Sequence, residues 1–494
     1  MAGSNRPELR LAYRIFVTVN ILLAVYNMIC FQMPRTDVKP CVLVVANHSL
    51  QEVADYAAKI SQPPPPLPPP QSQPVKAAAP TSVVQKPQFQ NRQPLQSKLA
   101  TTRAPVAASL SRIGDSNAGG NRIDSTPKKE APATTTTKYV VQKDFILSDV
   151  SVPFNDSVTL TTQATHEFLQ HVPVLCSRWQ GPISVAVFAP GTDYAVALDK
   201  IAFLRHCGDP CVSANVTWHM VFDRDHAPPA AVVVDSSSSA VFLQSWNGSC
   251  SSDVMGREYA QFRKAHKMTY PINVLRNVAR RRARTRYILA SDIELYPSAN
   301  VIPRFLSLVA ERRRRNATEA AAPQVFVLPI FEVQAKQRPP LTKRVLVEML
   351  RNKTAIFFHK WVCDQCQKFP KREEWIEYVP ADDDKLGILT TTKRDRTKRS
   401  WEPIYIGTND DPFYGEELTW EGKRDKMSQS YELCLRGYDF HILDNAFLVH
   451  APGIKTIIAS EERRRVPFVK VNNAHHARIM NSLKSRYPAL AKDC

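Results

Sequence analysis

The run Pro63-Pro64-Pro65-Pro66-Leu67-Pro68-Pro69-Pro70 sets how this chain can divide. Each Pro locks φ and removes a backbone donor, so the stretch cannot enter a helix interior or a central strand and takes the extended polyproline form. From there to about Lys138 the sequence stays rich in Pro, Ala, Gln, Ser and Thr, with Thr134 to Thr137 in a row and few aromatics. Such a composition buries too little apolar surface to offset the entropy of ordering the backbone. The excess of 38 Pro over 15 Gly points the same way. Residues 32–138 therefore read as an extended, O-glycan-prone stem, and 139–494 as one large domain with ample length for a core.

Leu11 to Phe31 is long and apolar enough to cross a bilayer, although Arg14, Asn20 and Asn27 interrupt it. Arg6, Arg10 and Arg14 place a short tail, residues 1–10, in the cytosol and the bulk of the chain in a lumen. A cleaved signal peptide is the competing reading. No small-x-small site follows Ile29-Cys30-Phe31, which favours an uncleaved signal-anchor. Six N-glycan acceptor sequences, at Asn47, Asn155, Asn215, Asn247, Asn316 and Asn352, fit a secretory-pathway protein. In that compartment the ten Cys can pair, and Cys363-Asp364-Gln365-Cys366 reads as a local disulfide in preference to a zinc or redox site.

The net charge of +19 calls for an anionic partner: nucleic acid, an acidic glycan, a phosphorylated donor or a membrane surface. The most basic run, Arg280 to Arg286, lacks interleaved stacking aromatics and belongs to no nucleic-acid module, and with a luminal domain it argues against nucleic acid. Most of these Arg read as a solvated cationic face.

Within the domain, Ile183 to Ala189 is a buried strand stopped by Pro190 and Gly191, Tyr194 to Leu204 has helical spacing, and Val216 to Phe222 alternates as a strand. Strand, helix, strand predicts a parallel sheet and an α/β class. A helix follows from Pro271, with Ile272, Leu275, Val278 and Ala279 on one face; its Arg276, Asn277 and Arg280 could reach a nucleotide diphosphate. Next, the apolar run from Tyr287 ends in Asp292-Ile293-Glu294, with Pro297 beyond. Two carboxylates at the C-terminal edge of such a sheet can hold a divalent cation that neutralises a departing diphosphate; the same pair also suits an ordinary solvated strand end. Val325 to Val333 reads as another buried strand, Met427 to Leu435 as a helix, and His450 as the end of an apolar run, where a structural His is the commoner case.

Several landmarks stand in an order that resembles glycosyltransferase family 49, the family of beta-1,4-glucuronyltransferases and of the second catalytic domain of LARGE-type glycan polymerases. They are Val187-Phe188-Ala189-Pro190; Tyr270-Pro271 with Leu275-Arg276-Asn277-Val278-Ala279-Arg280; Asp292-Ile293-Glu294; Cys363 and Cys366 followed by Trp375; Trp401-Glu402-Pro403; Gly437-Tyr438-Asp439-Phe440; Ala446-Phe447-Leu448-Val449-His450; and the tail Lys484-Ser485-Arg486-Tyr487-Pro488 with Cys494. The resemblance spans about three fifths of the chain and is more specific than acid-x-acid alone. It implies a GT-A fold, Mn²⁺, and UDP-glucuronate as donor. It assigns Asp292, Glu294 and His450 to the metal and places Arg276, Asn277, Ala189 and Pro190 around the donor. One departure stands out: the family has Asp-x-Asp where this chain has Glu294, whose longer arm moves the carboxylate outward.

The reading is a type II Golgi membrane enzyme that transfers glucuronate, with inversion, to a beta-xyloside-like glycan. Inversion needs a base facing the acceptor, and Glu416, Glu417 and Asp411 are the candidates, each of which also reads as a surface charge. The run Asp382-Asp383-Asp384 reads as a solvated turn. Two alternatives stay open: transfer of another UDP-sugar such as N-acetylglucosamine, and a catalytically silent member that partners another glycosyltransferase.

Overall fold

The computed structural model describes residues 138–250, 253–315, 322–380 and 384–494. The expected anchor and stem, and Asn47, Asn316, Asp382 and Asp383, lie outside the described residues. Among the described residues no helix is long and apolar enough to cross a membrane.

The first layer is a nine-stranded mixed sheet in the order β1-β4-β3-β2-β5-β11-β7-β12-β10. Its first half comprises β1 (Tyr139–Ile146), β2 (Val158–Ala164), β3 (Ile183–Phe188), β4 (Val216–Asp223) and β5 (Tyr287–Ala290). The second half comprises β7 (Gln324–Val327), β10 (Ile388–Thr392), β11 (Tyr405–Thr408) and β12 (Asp439–Leu443). The expected parallel pairing holds, with Ile183 of β3 beside Val216 of β4. The centre is β2, whose seven residues are all buried. It pairs in parallel with β3 on one flank (Leu160 with Ile183) and with β5 on the other (Leu160 with Leu289). The chain runs from β2 outward to β3 and β4, then returns to lay β5 on the opposite flank. That reversal makes the crevice beyond the C-terminal ends of β2, β3 and β5 the switch point where α/β folds bind ligands.

A second sheet, ordered β6-β13-β8-β9, comprises β6 (Leu295–Pro297), β8 (Ile330–Val333), β9 (Ala355–Phe357) and β13 (Leu448–His450). It corrects one expectation. The 325–333 run is two strands in different sheets, because Pro329 has no N–H for a ladder and breaks the chain between β7 and β8. The 440–450 run divides in the same way at Asp444-Asn445, giving β12 and β13.

Helices cover the sheets. Helices α1 (Val172–Trp179) and α2 (Asp193–His206) pack in the larger core with β2–β4, while α3 (Ile272–Arg282) lays Val274, Leu275, Val278 and Ala279 against Ala186, Phe188 and Val221. Helices α4 (Val301–Arg315) and α5 (Lys343–Arg351) follow, then a kinked α6 (Lys360–Gln367) that carries the Cys363–Cys366 disulfide. Last come α7 (Met427–Leu435) and α8 (Ala459–Arg486), which meet through Tyr431, Leu435 and Leu483 and are tied by Cys434–Cys494. Cys176–Cys211 and Cys207–Cys250 close the remaining bridges among the described residues. The described acceptor residues Asn155, Asn247 and Asn352 are exposed and Asn215 partly so. This mixed α/β architecture with its large sheet is compatible with a GT-A-like domain.

Candidate active site

The antiparallel and parallel registers together decide where the acids go. Asp292 follows β5 by two residues and lies level with Gln163 and Ala186 of the neighbouring strands, whose C-terminal ends share its edge. Gln163 Nε2 donates to Asp292 Oδ1 at 2.9 Å. From α3, Arg276 donates to the same oxygen at 2.6 Å and to Asp425 Oδ2 at 2.5 Å. From the start of α7, Lys426 Nζ meets Asp292 Oδ2 at 3.0 Å. Burial alone would lift the Asp292 carboxyl, but Lys426 and Arg276 hold it far below the usual carboxylate range. Burial likewise opposes the charge on Lys426, and Asp292 keeps its ammonium above the ordinary value.

Glu294 belongs to the second sheet. Antiparallel pairing sets His450 of β13 opposite Leu295 of β6, and the Ala451 N–H donates to the Glu294 carbonyl at 2.8 Å. This register brings His450 Nε2 to 3.7 Å from Glu294 Oε2. His450 Nδ1 faces the Ala451 carbonyl at 2.7 Å, which can only accept, so Nδ1 carries a proton and Nε2 is the ring nitrogen turned toward Glu294. Burial opposes it, yet His450 and Lys455 hold the Glu294 carboxyl below its ordinary value. A carboxylate and an imidazole nitrogen at this separation suit two ligands of one divalent cation. The Asp292 oxygens face Gln163, Arg276 and Lys426, and among the described residues no three His, Cys, Asp or Glu converge as a complete metal set. Beside the pair, the buried Glu332 accepts from the His359 and Lys455 N–H groups at 3.1 and 3.2 Å, holding both flanking segments. Burial first, then Lys426 and His450, pushes His359 down to about 4.

The polar residues of α3 also fix the neighbouring loop. Asn273, Arg276, Asn277 and Arg280 are all buried on one helical stripe, so Arg280 is not part of a solvated face. Asn273 Nδ2 donates to the Gly415 and Asp425 carbonyls, both at 2.8 Å. Asn277 Nδ2 donates to the Tyr414 carbonyl and to Glu416 Oε1, both at 2.9 Å, while Arg280 NH1 donates to the Pro412 carbonyl at 2.7 Å. The stripe thus clamps the 408–425 loop to the helix and delivers Asp425 and Lys426 to Asp292. Ala189 and Pro190 end β3 at the same sheet edge, where Ala189 N–H donates to the Val221 carbonyl at 2.8 Å.

Of the three acids singled out as bases, none lies beside Asp292. Asp411 follows β11 at the end that pairs with Tyr287, the start of β5, and accepts from Thr408 N–H at 2.8 Å and Tyr438 Oη at 3.0 Å. Glu416 is held by Asn277 and by Arg281 at 3.2 Å, and Glu417 sits on the surface with His475 at 3.0 Å. Sequence reasoning passed over Gln163, Asp425 and Lys426, none of which ends an apolar run, and His359, which ends the short run Ala355 to Phe358. It also passed over the end of β2, where Gln163 Oε1, Thr165 Oγ1 and His166 Nδ1 are buried without a hydrogen-bond partner among the described residues, while His166 Nε2 lies 3.4 Å from Asp193 Oδ1. Unpaired polar atoms at a switch point are suited to receive a polar ligand.

Comparison with known proteins agrees with this geometry. A family model described as "Glycosyl-transferase for dystroglycan" matches residues 157–488. The chain is 31% identical over 370 residues to "Beta-1,4-glucuronyltransferase 1" of Danio rerio, covering 72% of this chain and 82% of that one. It is 26% identical over 347 residues to the Homo sapiens protein of the same name, covering 69% and 78%. To "Xylosyl- and glucuronyltransferase LARGE1" of Danio rerio it is 25% identical over 303 residues, 60% of this chain but 31% of that longer one. The chain is an enzyme, a glycosyltransferase, and belongs to the family that this model describes.

Proposed function

We propose that the protein transfers glucuronate from UDP-glucuronate to a sugar hydroxyl of a beta-xyloside-like glycan, with inversion at the donor carbon, as a single-pass type II enzyme of the Golgi lumen. The observation that carries this reading is the convergence of Arg276, Lys426 and Gln163 on Asp292 at the switch point, with the Glu294–His450 pair beside it. The relatives named as glucuronyltransferases support the choice of sugar.

Glu294 and His450 would hold Mn²⁺, and the ion when bound supplies Lewis-acid neutralisation of the leaving diphosphate. The chain's own residues do the rest. Arg276 and Lys426 present fixed positive charge where the diphosphate's charge develops, at no reorganisation cost during the step. Gln163 Oε1, Thr165 Oγ1 and His166 Nδ1 at the end of β2 offer hydrogen bonds to the nucleotide. The acceptor hydroxyl must lose its proton as its oxygen attacks the sugar from the face opposite UDP, which calls for a base.

The test is UDP release by the full-length chain with Mn²⁺, UDP-glucuronate and a beta-xyloside, beside Asp292→Ala and with UDP-N-acetylglucosamine as competitor. Acceptor-dependent release from UDP-glucuronate, lost in the variant, is expected. Release from the N-acetylglucosamine donor alone would replace the sugar, and release from no UDP-sugar would overturn the reading.

A further inference from the structure

Three carboxylates surround Lys426: Asp292, Asp425 and Glu402. Two are spoken for, Asp292 by Arg276, Lys426 and Gln163, and Asp425 by Arg276. The Glu402 side chain makes no hydrogen bond or ion pair among the described residues, although its charged neighbours are Lys426, Asp425, Arg276 and Asp292, with the buried Arg394 of the 394–402 segment a further one.

Its position follows from register. β11 runs antiparallel to β5, with Ile406 beside Leu289, Gly407 beside Ile288 and Thr408 beside Tyr287. Because the strands run antiparallel, the start of β11, which Glu402 precedes, lies at the end of β5 from which Asp292 follows. The backbone there is fixed: Trp401 is buried at 2% exposure and packs on Phe440, Pro403 is buried, and Glu402 N–H donates to the Cys366 carbonyl at 2.9 Å inside the disulfide-closed turn. A carboxylate on a rigid segment, at the site and without a partner, is free to take a proton.

Resting on the transfer reading above, we infer that Glu402 is the general base of the reaction. Its carboxylate takes the acceptor hydroxyl proton as the acceptor oxygen bonds to the donor's anomeric carbon. The bond from that carbon to the diphosphate oxygen breaks, and its electron pair leaves on UDP, facing Arg276 and Lys426. The proton on Glu402 is then released to water. Burial, opposed by Lys426 and reinforced by Asp425, lifts the Glu402 carboxyl to about 7, the range in which a base can both be ionised and hold a proton. Asp411, Glu416 and Glu417 each already have protein partners away from Asp292.

The experiment compares wild type, Glu402→Gln and Glu402→Asp as full-length chains. Three quantities are read: kcat for transfer between pH 5.5 and 8.5, UDP affinity with Mn²⁺ by calorimetry, and the melting temperature. Wild-type kcat should fall as pH drops through about 7. Glu402→Gln should lose about 100-fold or more in kcat while UDP affinity stays within about twofold, and its residual rate should show no acid limb. Glu402→Asp, which keeps a carboxylate at a shifted distance, should retain the limb at a lower rate. A Gln variant within about fivefold of wild type, one that keeps the acid limb, or one that loses UDP binding in step with kcat would overturn the base while leaving the transferase reading in place. A wild type that transfers from no UDP-sugar would overturn both.

Discussion

Arg276 donates to Asp292 across 2.6 Å, joining the helix before β5 to the carboxylate after it. The same guanidinium reaches Asp425, so one planar fork ties α3, the acid motif and the start of α7 into a unit that Lys could not span.

Asp292→Asn should therefore cost stability as well as activity. It leaves Lys426 without its closest carboxylate and Arg276 with one, and the expected loss is about 2–3 kcal/mol, below that for a fully orphaned buried pair. Because the folded carboxyl is depressed, its contribution is present above the unfolded value of 3.8 and disappears as pH falls through the folded one. The gap in melting temperature between wild type and Asn variant should be full at pH 7 and narrow below about pH 4. A gap that is absent at pH 7, or unchanged at pH 3, would contradict this account.

Glu294 and His450 should act as a pair in metal binding. Mn²⁺ with UDP should raise the melting temperature of wild type, and Glu294→Ala or His450→Ala should each remove most of that rise, as expected when a metal loses one of two protein ligands. Glu294→Asp should weaken the rise, since the shorter arm draws the carboxylate away from His450 Nε2. An undiminished shift in His450→Ala would remove this residue from the metal site.

Lys343 offers a test of the fold away from the chemistry. Its ammonium is buried, donates to the Asp444 carbonyl at 2.7 Å and lies 3.9 Å from the Trp375 ring centroid. Burial pushes the amine down to about 8, from 10.5 when free. A depressed amine is protonated in both states below about pH 8, where burying the charge opposes folding; that cost fades as pH rises from about 8 towards 10.5. Lys343→Met should thus be at least as stable as wild type at pH 7, and its advantage should shrink by pH 10. Urea melts at the two pH values measure the difference, and a Met variant strongly destabilised at pH 7 would show that the carbonyl and ring contacts dominate.

Asn472 of α8 connects the C-terminal helix to the site. Its amide donates to the Thr419 and Lys423 carbonyls at 2.9 and 2.7 Å and packs against Gly422, where a Cβ would come within 2.1 Å of it. Asn472→Ala should unfix the segment that carries Asp425 and Lys426, costing about 1–3 kcal/mol for the unpaired carbonyls. Transfer kcat should fall several-fold with little change in the metal-dependent melting shift. An unchanged kcat would separate α8 from the site.

Much of this arrangement was legible in the sequence where periodicity or a stop signal marks an element. The strands at 183–188 and 216–223, the helices at 193–206 and 427–435, and the strand that ends before Asp292 all announce themselves by apolar spacing, most of them with Pro or Gly near an end. The order of landmarks from Ala189 to Cys494 was enough to place the chain in its family. β2 was not legible, since its Thr-rich Val158–Ala164 lacks the apolar run that marks a central strand, although every residue in it is buried.

The tertiary structure decided which side chains meet. Asn277 and Arg280 look like donor ligands or solvent-facing cations along the chain, and become loop clamps because the 408–425 segment folds onto their stripe of α3. His450 reaches Glu294 through a strand register in the second sheet, and the antiparallel pairing of β11 on β5 sets the segment that carries Glu402 at the end of β5 from which Asp292 follows. Local propensity acts over a few residues along the chain, so it fixes where elements start and stop. Registers and long-range hydrogen bonds join residues more than a hundred positions apart, and no local signal encodes them.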